Sequence, residues 1–130
     1  MMNADVKKLW VNALKSGKYE QGQGRLTAVF DTGNMFCCLG VLCDIAVKKG
    51  VVSKPAVVDD NTSNYKVLSY EEEVDFLPPT VAEWAGLDVK PLLVTRDWET
   101  GELRHEEITD MNDSLGYSFS DLAALIDTQF

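Results

Sequence analysis

The longest nearly uncharged apolar run in the chain covers residues 35–47 and reads MFCCLGVLCDIAV. Apolar residues inside this run recur at the spacing of one helix face. They are Leu39, Leu42, Cys43 and Ala46. The spacing predicts a helix from about Cys38 to Lys49, which Gly50 can end in a left-handed C-cap, preceded by a short strand end at residues 35–37. Because further apolar side chains extend the stripe nearly around the helix, we expect it to be the central buried element.

Three further helices are predicted from caps and apolar stripes. Asn3 can cap a first helix that Ser16 and Gly17 end. A short helix opens at residues 77–80, where proline occupies the first turn, and ends at Gly86. A final helix begins with a capping box at residues 118–121. Between the last two, Thr109 can cap a single helical turn.

Two-residue alternation predicts the strands. Residues 25–30 and 35–37 flank turn residues and form a first hairpin, and residues 92–98 and 103–108 form a second one around residues 99–102. Residues 65–70 predict one further strand. The glycine-rich residues 18–24 are expected to be a constrained turn, and residues 51–64 a long exposed loop.

These elements predict an α+β fold in a single compact domain covering residues 1–130. About four helices pack on a small, mainly antiparallel sheet of two hairpins plus one strand. A chain of 130 residues is long enough to bury such a core without disulfides or metals.

The net charge of the chain limits the classes of partner that we expect it to bind. The formal net charge is −9, with 21 acidic residues and 12 lysines and arginines. Nucleic-acid binding needs clustered basic residues, so we expect none. The sequence shows neither a signal peptide nor an apolar run of membrane length, so we also expect no membrane partner and a cytoplasmic location.

The number and spacing of the three cysteines do not indicate a metal site, and we expect no cofactor. In a cytoplasmic chain an odd number of cysteines does not indicate a disulfide framework. Cys37 and Cys38 are adjacent, and Cys43 follows more than one helical turn later, so the three thiols do not converge as zinc ligands would. We expect them to be reduced structural residues.

Four motifs indicate a family. They read W-x-x-A-L-x-S-G-x-Y-x-Q-G at residues 10–22, C-C-L-G-V-L-C-D at 37–44, L-P-x-x-V-x-x-W-A-G-L at 77–87, and N-D-x-x-G-x-S-F at 112–119. Together they resemble a set of small uncharacterised proteins of bacteriophages and bacteria. The resemblance implies a viral or bacterial origin and action in a bacterial cytoplasm, and it implies no activity and no catalytic residue.

One enzymatic alternative is compatible with the residue order. Cys38 at a helix N-terminus would be the nucleophile, His105 the base, and Asn112 or Asp113 the group that orients the histidine. The order Cys, His, Asn is similar to that of papain-like peptidases, and it predicts a small cysteine hydrolase. The local signatures around the cysteine of that family are missing, and His105 lies in an acidic, exposed strand.

We therefore predict a non-enzymatic accessory protein, of the phage type, that binds a host protein or a small-molecule ligand. The predicted ligand-binding residues are Tyr19, Gln21, Gln23 and Arg25 in the glycine-rich turn, and Trp98 on the second hairpin. In the hydrolase alternative, Gln21 or Gln23 would donate to an oxyanion. For Trp98, however, partial burial against a neighbouring strand is the favoured interpretation over exposure on a binding surface.

Overall fold

The structure is a computed structural model that describes residues 2–60 and 64–130. Its helices are α1 (Ala4–Lys15), α2 (Cys38–Lys48), α3 (Pro79–Ala85), α4 (Ile108–Asp113) and α5 (Phe119–Gln129). Its strands are β1 (Glu20–Gln21), β2 (Thr27–Phe30), β3 (Gly33–Phe36), β4 (Ala56–Asp59), β5 (Lys66–Ser69), β6 (Leu92–Arg96) and β7 (Leu103–Glu107). The predicted α+β class is confirmed.

Helix α2 is the buried centre of the molecule, as its apolar pattern predicts. Eight of its residues are buried, from Cys38 to Ala46 with Asp44 half-buried. The thiol of Cys37 caps the helix by accepting a hydrogen bond from the Gly40 amide at 3.4 Å. Gly50 follows the helix with φ of 74°, the left-handed conformation expected of it.

The start of α2 lies directly against the backbone that leads into β2. The Leu26 carbonyl accepts a hydrogen bond from the Cys37 amide at 3.0 Å. A methyl group built on Gly40 would lie 1.8 Å from that same carbonyl oxygen. On the opposite side, the indole of Trp10 donates to the Cys38 carbonyl at 2.9 Å, which joins α1 to the same turn. Residue 40 therefore has no room for a side chain.

The larger sheet has the strand order β1-β3-β2-β5-β4. Its pairs are antiparallel except for β1 and β3, which run parallel, with Gln21 opposite Phe36. The first predicted hairpin is confirmed as β2 and β3. The smaller sheet is the second predicted hairpin, β6 and β7, with Val94 opposite His105.

Three local predictions are wrong. Part of the predicted loop at 51–64 is strand β4, an edge strand whose four residues are all exposed, so no buried face marks it in the sequence. Residues 61–63 of that loop lie outside the described residues. The predicted turn at 18–24 contains β1, which depends on pairing with β3. Helix α4 begins at Ile108 without a side-chain cap, so Thr109 is not its cap.

The other cap predictions are confirmed. The Asn3 side chain accepts hydrogen bonds from the Asp5 and Val6 amides. Ser118 and Asp121 form the predicted reciprocal capping box at the start of α5. Within the described residues, five helices are present, and none of them is long and apolar enough to cross a membrane.

We expect Gly40→Ala to destabilise the protein. A glycine-to-alanine change inside a helix normally stabilises by about 0.5–1 kcal/mol. Here the added methyl group meets the Leu26 carbonyl, so we expect a loss of about 2 kcal/mol or more in the free energy of unfolding, measured in urea. The exposed Lys49→Ala at the end of the same helix is the control. A gain in stability for Gly40→Ala would show that α2 does not lie against this carbonyl.

Candidate functional site

The glycine-rich segment is held against the sheet. The Gly22 amide donates to the Phe36 carbonyl at 2.7 Å. A methyl group on Gly22 would lie 2.8 Å from the Cβ atom of Met35. Residue 22 must therefore be small so that this segment can approach β3 closely.

The Gln21 side chain links this segment to the other end of the chain. Its Nε2 donates to the Asn112 Oδ1 and to the Tyr117 carbonyl, both at 2.9 Å. Its Oε1 accepts from the Phe119 amide at 3.1 Å. Both amide hydrogens have partners within the protein, so a ligand or an oxyanion would have to displace them.

Asn112 completes this link from the opposite side. The residue is 0% exposed, and its Nδ2 donates to the Gly22 carbonyl and to the Asp113 carboxylate, both at 2.8 Å. We call Gln21, Asn112 and their partners the amide clamp. Since buried polar groups are costly when unpaired, the clamp fixes β1 relative to α4 and α5.

Tyr19 lies in a different place from Gln21. Its hydroxyl donates to Asp44 and accepts a hydrogen bond from the Lys48 ammonium group at 3.2 Å. Its ring packs edge-on against Phe36 with centroids 5.0 Å apart. Burial and the Asp44 carboxylate raise the pKa of Tyr19. The ring borders a cavity of about 520 Å³ between α1 and α2, together with Lys18.

Arg25 is held by the protein's own carboxylates. Its Nε lies 3.1 Å from Asp60, whose side chain is 6% exposed, and its Nη1 lies 2.9 Å from Asp75. Two carboxylates therefore occupy the positions that an anionic ligand of Arg25 would take. Gln23, in contrast, is exposed and borders a separate cavity on the sheet.

The cysteine hydrolase alternative finds no support in this geometry. Cys38 is 0% exposed, and its thiol points to the Ile108 carbonyl at 3.9 Å. Burial raises the pKa of this thiol well above its usual value, so the thiolate nucleophile does not form at neutral pH. His105 is exposed on β7, and the Asn112 amide that would orient it is taken up by the amide clamp.

The thiols are also not arranged as ligands. Cys37, Cys38 and Cys43 are all free and buried. Within residues 2–60 and 64–130, no group of three or more histidine, cysteine and acidic side chains has the arrangement of a metal site.

Trp98 has the most exposed large apolar side chain among the described residues, at 89%. Partial burial against a neighbouring strand is therefore the wrong interpretation. The turn beneath it is rigid, because Asp97 Oδ1 accepts from the Glu99 amide at 2.9 Å and from the Thr100 amide at 3.1 Å. The second oxygen of Asp97 lies 2.8 Å from the Arg104 guanidinium. The backbone hydrogen bonds lower the pKa of Asp97.

One face of the same hairpin carries further exposed apolar residues. Leu92 and Val94 alternate along β6, and Leu103 lies opposite Arg96 in the same row. Leu92 is 51% exposed and Leu103 is 59% exposed. We call Leu92, Val94, Leu103 and Trp98 the hairpin surface. Sequence reasoning found Trp98 and missed the two leucines, because Leu92 stands in the continuous apolar run of residues 92–94 and no alternation with polar residues marks it.

The hairpin is also held at the middle of β6. The Gln129 side chain accepts a hydrogen bond from the Val94 amide at 2.7 Å and donates to the Val94 carbonyl at 2.8 Å. These two hydrogen bonds satisfy the backbone groups of Val94 that a neighbouring strand would otherwise pair with, so the middle of the β6 edge is not open to another strand. The hairpin surface is thus attached to α5, and its shape is set before any partner binds.

Comparison with known proteins gives one match. A model of the family described as Domain of unknown function (DUF8296) matches residues 2–130. No curated protein and no solved structure matches the chain. The description of the family carries no activity, so the function has to be argued from the geometry above.

We expect Gln21→Ala to destabilise the protein by about 1–3 kcal/mol, because it leaves clamp groups without partners. Gln23→Ala, two residues away and exposed, should change the free energy of unfolding by less than about 0.5 kcal/mol. Urea unfolding of both variants measures the difference. Equal effects would show that the amide clamp does not form in solution.

We expect the three thiols to resist alkylation in the folded protein. Burial raises the pKa of Cys37 to about 12 and raises those of Cys38 and Cys43 as well. Iodoacetamide at pH 8 should therefore label no thiol of the native protein and all three after unfolding in urea, as counted by mass spectrometry. Rapid labelling of Cys38 in the native state would restore the hydrolase alternative.

The same shifts predict a loss of stability at high pH. An unfolded thiol titrates near pH 8.5, about the ordinary value. Because the folded pKa values are raised, the contribution of the thiols to stability is complete below that pH and declines as the pH rises toward 12.

Proposed function

The chain belongs to this family of unknown function, DUF8296, and we propose that it is a binding protein without catalytic activity that engages a host protein through its hairpin surface. The observation that supports the proposal is the exposure of Trp98, 89%, on a turn held by hydrogen bonds. A large exposed aromatic costs solubility, and tryptophan is enriched among the residues that dominate protein interfaces.

The rigidity of the hairpin favours recognition. A partner gains more affinity from a side chain that is already in place, because less conformational entropy is lost on binding. Asp97 and Arg104 hold the turn, and Gln129 holds the middle of β6. The backbone that carries Trp98 is therefore held in place by hydrogen bonds.

The shape of this surface favours a protein over a small molecule. Small ligands bind in concave sites that cover most of their surface. Trp98 is not enclosed in this way, since its side chain is 89% exposed. An exposed aromatic side chain of this kind binds by entering a pocket of the partner. Leu103, which pairs with Arg96 next to the turn, then adds apolar contact beside that pocket.

The charges around the surface define the partner further. Residues 92–107 contain five acidic residues and two arginines. Asp97 and Arg104 neutralise each other, and the remaining acidic side chains leave the hairpin negative. We expect a partner with an apolar pocket and a positively charged rim, because opposite charges speed association and select the partner.

The setting of this role follows from the resemblance of the four motifs to bacteriophage and bacterial proteins. We infer a phage-type accessory protein that acts in the cytoplasm of a bacterial host. The predicted ligand-binding residues Gln21 and Arg25 do not contact the partner in this proposal. Gln21 is part of the amide clamp, and Arg25 is paired with the carboxylates of Asp60 and Asp75.

We expect Trp98→Ala to abolish capture of the partner without affecting the fold. The protein is used as bait in bacterial lysate, and captured proteins are compared by quantitative mass spectrometry. Loss of a central tryptophan typically weakens an interface by about 2–4 kcal/mol, or about 30-fold to 1,000-fold. Trp98→Ala should change the free energy of unfolding by less than about 0.5 kcal/mol, because the Trp98 side chain is exposed.

Leu115→Ala is the matched control, since Leu115 is 51% exposed and lies outside the hairpin. A protein captured by the wild type and by the control, and lost with Trp98→Ala and with Leu103→Ala, supports the proposal. A partner retained by Trp98→Ala overturns it. Turnover in a hydrolase screen that disappears in both Cys38→Ala and His105→Ala would also overturn it.

A further inference from the structure

The larger sheet has a face that points away from α2. On the inner face, the Thr27 hydroxyl bonds to the Tyr70 hydroxyl at 2.9 Å within the core. Ala28, the next residue of β2, lies opposite Met35 on one side and opposite Val67 on the other. Since side chains alternate along a strand, these three residues share the outer face.

A cavity of about 330 Å³ lies on this outer face. Ala28 forms its floor, and its walls include Gly22, Gln23, Phe30, Met35 and Tyr65. Its volume is at the lower end of the range of about 300–1,000 Å³ that small-molecule sites show. The cavity therefore suits a compound of one or two rings.

An aromatic pair forms one wall. The rings of Phe30 and Tyr65 have centroids 5.0 Å apart and planes inclined at 45°. Phe30 is 37% exposed, and Tyr65 and Met35 are half-buried. Ring faces and a thioether together favour a planar aromatic ligand, which would cover apolar surface that water now contacts.

The polar groups at the cavity define the rest of the ligand. Gln21 is engaged in the amide clamp, but the Gln23 amide and the Tyr65 hydroxyl make no hydrogen bond within the described part of the chain. Both can donate and accept. Among the described residues, the lining contains no charged side chain, and the net charge of −9 disfavours anions. These groups match an uncharged ring whose edge both donates and accepts.

We propose that this cavity is a binding site for an uncharged, planar heteroaromatic compound of the nucleobase type. The ring stacks against Phe30 and Tyr65, Met35 covers its side, and the Gln23 amide pairs with its hydrogen-bonding edge, as glutamine does with adenine. The site is separate from the hairpin surface, so it goes beyond the proposed function and does not depend on it.

Adenine is the probe for the test. Titration of the ¹⁵N-labelled protein, followed by amide chemical shifts, should give saturable changes at residues 22, 23, 28 and 35, with a millimolar dissociation constant. Tyr65→Ala should weaken binding about 10-fold or more, because stacking on the ring is lost. Tyr65→Phe keeps the ring and should retain most of the affinity, which separates lost stacking from a damaged fold.

Two comparisons make the assignment specific. Gln23→Ala should weaken the binding of adenine more than the binding of purine, because purine lacks the exocyclic amino group. Trp98→Ala should leave adenine binding unchanged while it abolishes capture of the protein partner, so the two proposals can fail independently. The inference is overturned if adenine gives no saturable shift up to its solubility limit, if the shifts lie outside the cavity, or if Tyr65→Ala binds as the wild type does.

Discussion

The contact between Gly40 and the Leu26 carbonyl is the constraint on which the rest of the structure depends. A methyl group at residue 40 would lie 1.8 Å from that oxygen, so helix and strand meet there backbone to backbone. The same carbonyl binds the Cys37 amide, and the Trp10 indole binds the Cys38 carbonyl. Because the contacts of Gly40 and Cys37 with Leu26 join backbone atoms, they set the distance between α2 and the start of β2 without the tolerance that flexible side chains allow, and the Trp10 side chain attaches α1 to the same turn.

The amide clamp is a second constraint, in which polar side chains fix β1 relative to α4 and α5. The Gln21 side chain donates to the Asn112 side chain, and their remaining groups bond to backbone atoms of neighbouring elements and to the Asp113 carboxylate. A fully paired network of this kind rigidifies the elements it joins, whereas a partly paired one would destabilise them. It explains why the glycine-rich segment keeps one conformation although its composition is that of a turn.

The two proposed surfaces lie outside this framework and differ in kind. The hairpin surface is bordered by acidic residues and presents the exposed Trp98 on a turn held by hydrogen bonds. The cavity by Tyr65 is concave, uncharged and lined by rings. An exposed apolar residue suits a protein pocket, and a concave apolar site suits a small molecule. The core thiols serve neither surface, because burial keeps them protonated and inaccessible.

The sequence by itself determined the elements whose signals are short-range. Helix α2, the Asn3 and Ser118 caps and both hairpins follow from periodicity and from residues within a few positions of one another. The position of Trp98 beside a hairpin turn belongs to the same class, whereas its exposure was decided by the tertiary structure. Only the tertiary structure decided the roles of Gln21, Arg25 and Asn112, and the existence of β1 and β4. Gln21 and Asn112 are 91 positions apart, and Arg25 and Asp60 are 35 apart. A side chain's partners at such separations depend on how the whole chain packs, and no local pattern records them.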